Sequence, residues 1–338
     1  MSELPLLTNS RLKAFRACPR YHRLRYLDRI VPSRDADEVR FGTLWHHAQE
    51  AWWLARAGAA TLSGAQAHDV ALASAIEALG KHAGESDAFE LAEARALMLA
   101  YAIRWADQPY DVLLVESEFR APLVNPATGA ASRTWQLAGK LDVLVRDRRD
   151  GRPYLVEHKT TSQDASEGST YWRRLRMDGQ ISQYYVGAAT LGFEVAGCIY
   201  DVVRRPGLRP LKATPPEKRK LTKDGRLYAT QRDRDEDASD YFLRVTEAIA
   251  DSAGASFVRG VVVRLEDEVR EHLADTWALG RLMREAEIAG CHVRNVDACE
   301  RYRRLCEYLP ICEGSASADD PSLYRIGSTA HPELKETP

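Results

Sequence analysis

The sequence predicts an α/β protein with a mixed central sheet flanked by helices. Two observations carry this. Short β-type runs at 110–123, 135–145, 153–159, 194–204 and 256–265 are interspersed with segments of helical periodicity at 41–58, 171–191 and 266–289. The middle of the chain, Leu137 to Thr160 (LAGKLDVLVRDRRDGRPYLVEHKT), reads as a β-hairpin turning at Arg149-Asp150-Gly151.

The elements follow in order. Thr8-Asn9-Ser10 caps a short helix, which runs into Cys18-Pro19-Arg20-Tyr21-His22 and a basic, aromatic segment. Residues 34–40 read as a polar loop. In the helix at 41–58, His46 and Glu50 share one face. Residues 59–108 are Ala-rich and helical in pattern, and read as a helical insertion. After the strand at 110–123 comes a turn at 125–129, then the hairpin, then a small, polar stretch at 162–169 expected to be a mobile loop. Residues 206–240 are a long excursion of mixed charge with little periodicity, read as partly disordered. A cysteine-bearing segment spans 291–313, and 314–338 reads as a flexible tail. Residues 1–313 are expected to form one domain.

Composition bounds the function. The chain has 338 residues, 45% hydrophobic and 28% charged, with a formal net charge of −2. There is no overall basic field, so a nucleic-acid partner must be attracted by local patches. No apolar run approaches the ~20 residues of a membrane span, and the N-terminus lacks the pattern of a signal peptide. A cytoplasmic, reducing location is expected. There the six cysteines are metal ligands, core residues or redox groups rather than disulfides.

The hairpin carries the chemistry. Asp142 and Glu157 are carboxylates that a hairpin can bring side by side. Lys159 lies two residues from Glu157, so both side chains face the same way on a strand, while His158 faces the other and offers its carbonyl. Any one of these charges suits a solvated edge hairpin. Glu157, however, interrupts an apolar run, where carboxylates are uncommon unless paired or metal-bound. Divalent metals of the Mg²⁺ type prefer such oxygens, and phosphodiester hydrolysis needs such a metal.

GKLD followed by VEHKT resembles the GxxD…ExK pattern of the PD-(D/E)XK nuclease superfamily, most closely its RecB-like branch of phage and CRISPR-associated exonucleases. The resemblance implies a restriction-endonuclease-like core. Three further motifs agree in order. Gly42-Thr43-Leu44-Trp45-His46 resembles GxxxH, whose His is a metal ligand; His47 is the alternative. Val115-Glu116-Ser117-Glu118-Phe119 resembles the preceding strand, with Glu116, or else Glu118, at the acidic position. Gln180-Ile181-Ser182-Gln183-Tyr184 resembles QhxxY. By this resemblance His46, Asp142, Glu157 and the carbonyl of His158 hold Mg²⁺ or Mn²⁺. Lys159 positions or activates water, and Gln180 and Tyr184 orient the centre or the DNA strand.

Cys299, Cys306 and Cys312 form C-x6-C-x5-C, with Cys18 far away in sequence. Four thiolates suffice for a [4Fe–4S] cluster or a tetrahedral Zn²⁺ site. The split spacing resembles that of iron–sulfur RecB-like nucleases, which implies a [4Fe–4S] cluster joining the two ends of the domain, with Zn²⁺ as the lesser alternative. Cys291 is a possible substitute, and Cys198 reads as core. If the ends meet, Arg16, Arg20, Arg23, Arg25 and Arg29 join Arg301, Tyr302, Arg303 and Arg304 in one basic, aromatic patch suited to a DNA backbone.

The expected function is therefore a metal-dependent deoxyribonuclease. An exonuclease acting on single strands or DNA ends is favoured, in recombination, repair or phage DNA processing. The rivals are a non-catalytic iron–sulfur DNA-binding or assembly subunit and a structural zinc protein. There is no GxxxxGK[ST] phosphate loop, so unwinding needs a helicase or recombination partner.

Overall fold

A computed structural model of the chain describes residues 4–34, 36–59, 62–84, 87–301 and 304–334. Its strands are β1 (Leu6–Leu7), β2 (Ile30–Pro32), β3 (Tyr110–Val124), β4 (Ala131–Asp147), β5 (Pro153–Thr161), β6 (Gly197–Arg204), β7 (Phe257–Val262), β8 (Glu300–Arg301), β9 (Arg304–Leu305) and β10 (Tyr324–Ile326). The helices are α1 (Asn9–Ala17), α2 (Pro19–His22), α3 (Asp37–Gly58), α4 (Gly64–Lys81), α5 (Ala88–Arg104), α6 (Thr170–Arg176), α7 (Gly179–Thr190), α8 (Ala238–Asp251), α9 (Ala253–Ser256), α10 (Glu266–Ala289) and α11 (Leu309–Glu313).

β4 is the spine of a mixed sheet, as the sequence predicts. Along one side it pairs antiparallel with β3. Its other side pairs first with β1, in parallel at Gln136 and Leu137, and then with β5, antiparallel from Val143 to Arg146. β6 adds parallel to β5, and β7 antiparallel to β6. The parallel β5–β6 pair needs a crossover, and α6 and α7 supply it.

The sheet's two faces bury different helices. Val143, Val145, Val156 and Val203 face α3, α4, α5 and α8, where Trp45, Trp52, Trp53, Leu97 and Tyr101 are wholly buried. Leu144, Leu155 and Tyr200 face α6 and α7. This alternation along β4 and β5 is the period of two that a strand imposes. The α7 helix comes close to β4 because Phe119 wedges between two glycines. A Cβ on Gly139 would lie 2.8 Å from that ring, and one on Gly187 2.4 Å.

Four sequence expectations change. The stretch read as a helical insertion forms α4 and α5, which give Ala71, Leu79, Ala94 and Leu97 to the largest buried cluster. It is part of the core because its Ala-rich faces let the helices pack closely. The segment at 171–191 is two helices, since Asp178 breaks it and caps α7 by accepting from the Gln180 N–H. The charged excursion at 206–240 is tied down by a buried carboxylate. Glu236 accepts from the Leu211 N–H at 2.8 Å and from Arg244 Nη2 at 2.7 Å. The segment read as a flexible tail is also packed. Its strand β10 pairs antiparallel with β2, and the buried Tyr324 donates from Oη to Glu307 O at 2.6 Å. Hydrogen bonding and aromatic burial here outweigh a polar composition. Residues 335–338, like Tyr302 and Arg303 of the proposed basic patch, lie outside the described residues. Among the described residues no helix is long and apolar enough to cross a membrane.

Candidate active site

The site lies where β4 and β5 part. Their ladder runs from Arg146↔Pro153 to Val143↔Val156. One step further, the side chain of Asp142 takes over from its backbone: Oδ2 accepts from the His158 N–H at 3.0 Å. The splay leaves Asp142 and Glu157 at the mouth. Strand alternation then sends Glu157 and Lys159 to one face and His158 to the other.

His46 arrives from α3, with Nδ1 3.6 Å from Asp142 Oδ2. From β3, Glu116 stands opposite Asp142, between the pairs Val115↔Val143 and Ser117↔Leu141. Among the described residues, His46, Glu116 and Asp142 are the one trio of potential ligands whose donor atoms lie within 4.8 Å of one another. Glu116 has φ +47°, a left-handed conformation that a β-strand residue adopts only when its surroundings impose it. The geometry thus picks Glu116 over Glu118 as the acid facing Asp142. It also picks His46 over His47, which turns to Glu50 at 3.7 Å and stacks on His82 with ring centroids 4.0 Å apart.

Glu157 is almost wholly buried. Its Oε1 accepts from Gln180 Nε2 at 2.8 Å and from Lys159 Nζ, while its buried Oε2 has no hydrogen-bond partner. Burial, and then Asp142, push this carboxyl up to about 7. The same two causes, in the same order, push Glu116 up to about 7. Burial and then His158 hold His46 down to about 3, so its imidazole is neutral and can donate a lone pair. Burial alone would lower Lys159, but Glu157 raises it, and the group stays an ammonium.

Gln180 is the hub behind these groups. Its Nε2 also donates to Tyr184 Oη at 2.8 Å, and its Oε1 accepts from Lys159 at 3.0 Å. A helix places Gln180 and Tyr184 on one face, and the Phe119 wedge brings that face to the sheet. Three carboxyl groups, one of them with a buried oxygen that has no partner, and one neutral imidazole suit a hard divalent cation.

The ring of His158 points away from this centre. Its Nε2 accepts from Trp53 Nε1 at 2.9 Å, and its Nδ1 lies 3.4 Å from Asp201 Oδ2. That carboxylate oxygen also accepts from Tyr101 Oη at 2.5 Å and from Arg259 Nη2 at 2.8 Å. Sequence reasoning missed Trp53, Tyr101, Asp201 and Arg259. One signal was available: Asp201 interrupts the apolar run VAGCIYDVV, just as Glu157 interrupts its own.

Cys18, Cys299, Cys306 and Cys312 line one cavity of about 720 Å³ between α1–α2 and the C-terminal segment. The Asn295 N–H points at Cys18 Sγ at 3.4 Å, and the Cys306 N–H donates to Cys299 O at 2.8 Å. Cys291 is exposed and does not line the cavity, and Cys198 is buried in β6. Of the basic residues, Arg25, Arg301 and Arg304 line the same cavity. Arg20 and Arg29 instead donate to the carbonyls of His292 and Ser328.

The model of the PD-(D/E)XK nuclease superfamily matches residues 7–313 of the chain. The chain belongs to that superfamily, whose members are nucleases using divalent metals. Its mixed sheet flanked by helices is consistent with the superfamily's restriction-endonuclease-like fold. No curated protein matches the chain. Among solved structures it is similar to the one described as "Crystal structure of SSO0001", at 14% identity and a TM-score of 0.26, over 74% of this chain and 78% of that one.

Proposed function

We propose that the protein is a Mg²⁺- or Mn²⁺-dependent deoxyribonuclease of the RecB-like branch, an exonuclease acting on single strands or DNA ends. The convergence of His46, Glu116 and Asp142, beside the buried Glu157–Lys159 pair, carries this reading. A divalent ion held by His46, Asp142, Glu157 and the His158 carbonyl, with Glu116 as a further donor, supplies Lewis acidity to the scissile phosphate and its attacking water. Lys159 holds a proton on Nζ and acts as a hydrogen-bond donor to that water or to the phosphate. Gln180 keeps Glu157 and Lys159 in register, and Tyr184 keeps Gln180 there.

The cysteines would hold a [4Fe–4S] cluster. The four cysteines line one cavity, which supports a shared group there. The work would lie in cytoplasmic recombination, repair or phage DNA processing, with a helicase or recombination partner supplying unwound strands.

End-labelled single- and double-stranded DNA, incubated with Mg²⁺ or Mn²⁺ and with chelator, tests the reading. Metal-dependent release of label by the wild-type protein, lost in Asp142→Ala, is expected. Equal behaviour of the two proteins refutes it. Iron and zinc analysis of the same preparation decides the cysteine site.

A further inference from the structure

The centre holds two lysines, each on a carboxylate. Lys159 pairs with Glu157. Lys140, on β4 two residues before Asp142, pairs with Glu116 Oε2. Lys159 belongs to the ExK pattern, whereas Lys140 occupies a variable position of GxxD. Its ammonium nevertheless sits on a carboxylate of the trio that brings donor atoms within 4.8 Å of one another.

We propose that Lys140 is an internal competitor for the metal: its ammonium takes the cation position at Glu116 and must leave before a divalent ion can use that carboxylate. This rests on the centre being a metal site, as proposed above. Of the two partners, the lysine is the more exposed, at 31% of its side chain against 15% for Glu116. The backbone of Glu116 is held in its left-handed conformation between two paired neighbours in β3. Lys140 has a flexible four-carbon stem. Lys140 offsets the close approach of the Glu116 carboxyl to Asp142. Lys140 therefore stabilises the metal-free centre and, by the same contact, weakens its hold on metal.

Calorimetric titration of Mn²⁺ into the full chain, without DNA, tests this. Wild type, Lys140→Met, Glu116→Gln and the double variant form a cycle. Lys140→Met is expected to bind Mn²⁺ roughly three- to tenfold more tightly than wild type, the size of a half-exposed ion pair. In the Glu116→Gln background the same substitution should change affinity little. Lys140→Gln, judged by the same sign, replaces Lys140→Met if circular dichroism shows the latter misfolded. Unchanged or weaker binding without the lysine overturns the proposal and leaves the metal centre standing. So does a gain that persists with Gln at 116, because it would then be a general field effect. Absence of Mn²⁺ binding by the wild-type protein overturns both.

Discussion

In the metal-type centre, every side chain rides on an element placed by the sheet. Asp142, Glu157, Lys159 and Glu116 come from β4, β5 and β3, and Gln180 from a helix wedged against them. The cysteine-lined cavity has no such frame. Its walls are mostly short elements and loops: α1, α2, the first turn of α3, two strands of two residues and the five-residue α11, over a small cluster of Leu24, Ile30, Tyr308 and Tyr324. One region holds like charges together because backbone ladders leave them nowhere else to go. The other has little secondary structure of its own, and so gains most from a group that ties its ends. The first gathers charged groups at a cost in local stability, and the second, on the reading proposed above, would be closed by a bound group.

That contrast can be broken by experiment. The largest effect is expected at Asp142→Asn, which keeps an acceptor for the His158 N–H but removes the charge. DNA cleavage should fall by about 10³-fold or more, while the melting temperature stays level or rises because Glu116 and Glu157 lose a repelling neighbour. A clear drop in melting temperature would mean that the charge supports the fold. Next is Cys306→Ser. Most bound iron should be lost and the melting temperature should fall by roughly 5 °C or more, since a ligand that binds only the folded chain stabilises it. A variant with normal metal content and stability would show that the cavity is not a clamp.

A smaller effect is expected at Gly187→Ala, whose Cβ would meet the Phe119 ring. Overpacking there should cost about 1–3 kcal/mol in chemical denaturation and lower cleavage by displacing Gln180, with iron content unchanged. An Ala variant as stable and active as wild type would remove the wedge from the account.

The smallest effect is a pH dependence on the cysteine side. His22, on α2, is wholly buried and accepts from Arg11 Nε at 3.1 Å. Burial and then Arg11 hold it down from 6.5 to about 3. Between these values the unfolded chain binds the proton and the folded chain does not. Stability should therefore fall as pH drops from about 6.5 towards 3, by at most about 1.4 kcal/mol per pH unit from this group. Denaturant titrations at pH 7 and pH 5 measure the slope. His22→Gln should flatten it, and an unaltered slope would assign the effect elsewhere.

The chain order of elements and most of the centre were legible in the sequence. Asp142, Glu157 and Lys159 were singled out by strand alternation in an apolar hairpin, and His46, Gln180 and Tyr184 by their resemblance to family motifs; the structure brings all six to one region. Glu116 could not be separated from Glu118, because a period of two puts both on one face; the register that sets Glu116 opposite Asp142, and its place beside His46, break the tie. Lys140 was invisible as a partner, since its contact crosses from β4 to β3. Asp201 gave the same signal as Glu157, but its meaning needs β6 to lie beside β5. The packed C-terminal segment was missed because polar composition says nothing about a strand partner near the other end of the chain, at β2.

By itself, then, the sequence determined which elements carry the candidate groups and on which faces of those elements they lie, because side-chain direction follows from backbone period. Only the tertiary structure decided which charges meet. It parted β4 from β5 at Asp142, set Lys140 on Glu116, left Glu157 Oε2 without a partner and gathered four distant cysteines around one cavity. Contacts across strands and between chain ends depend on how elements pack, and no local pattern encodes them.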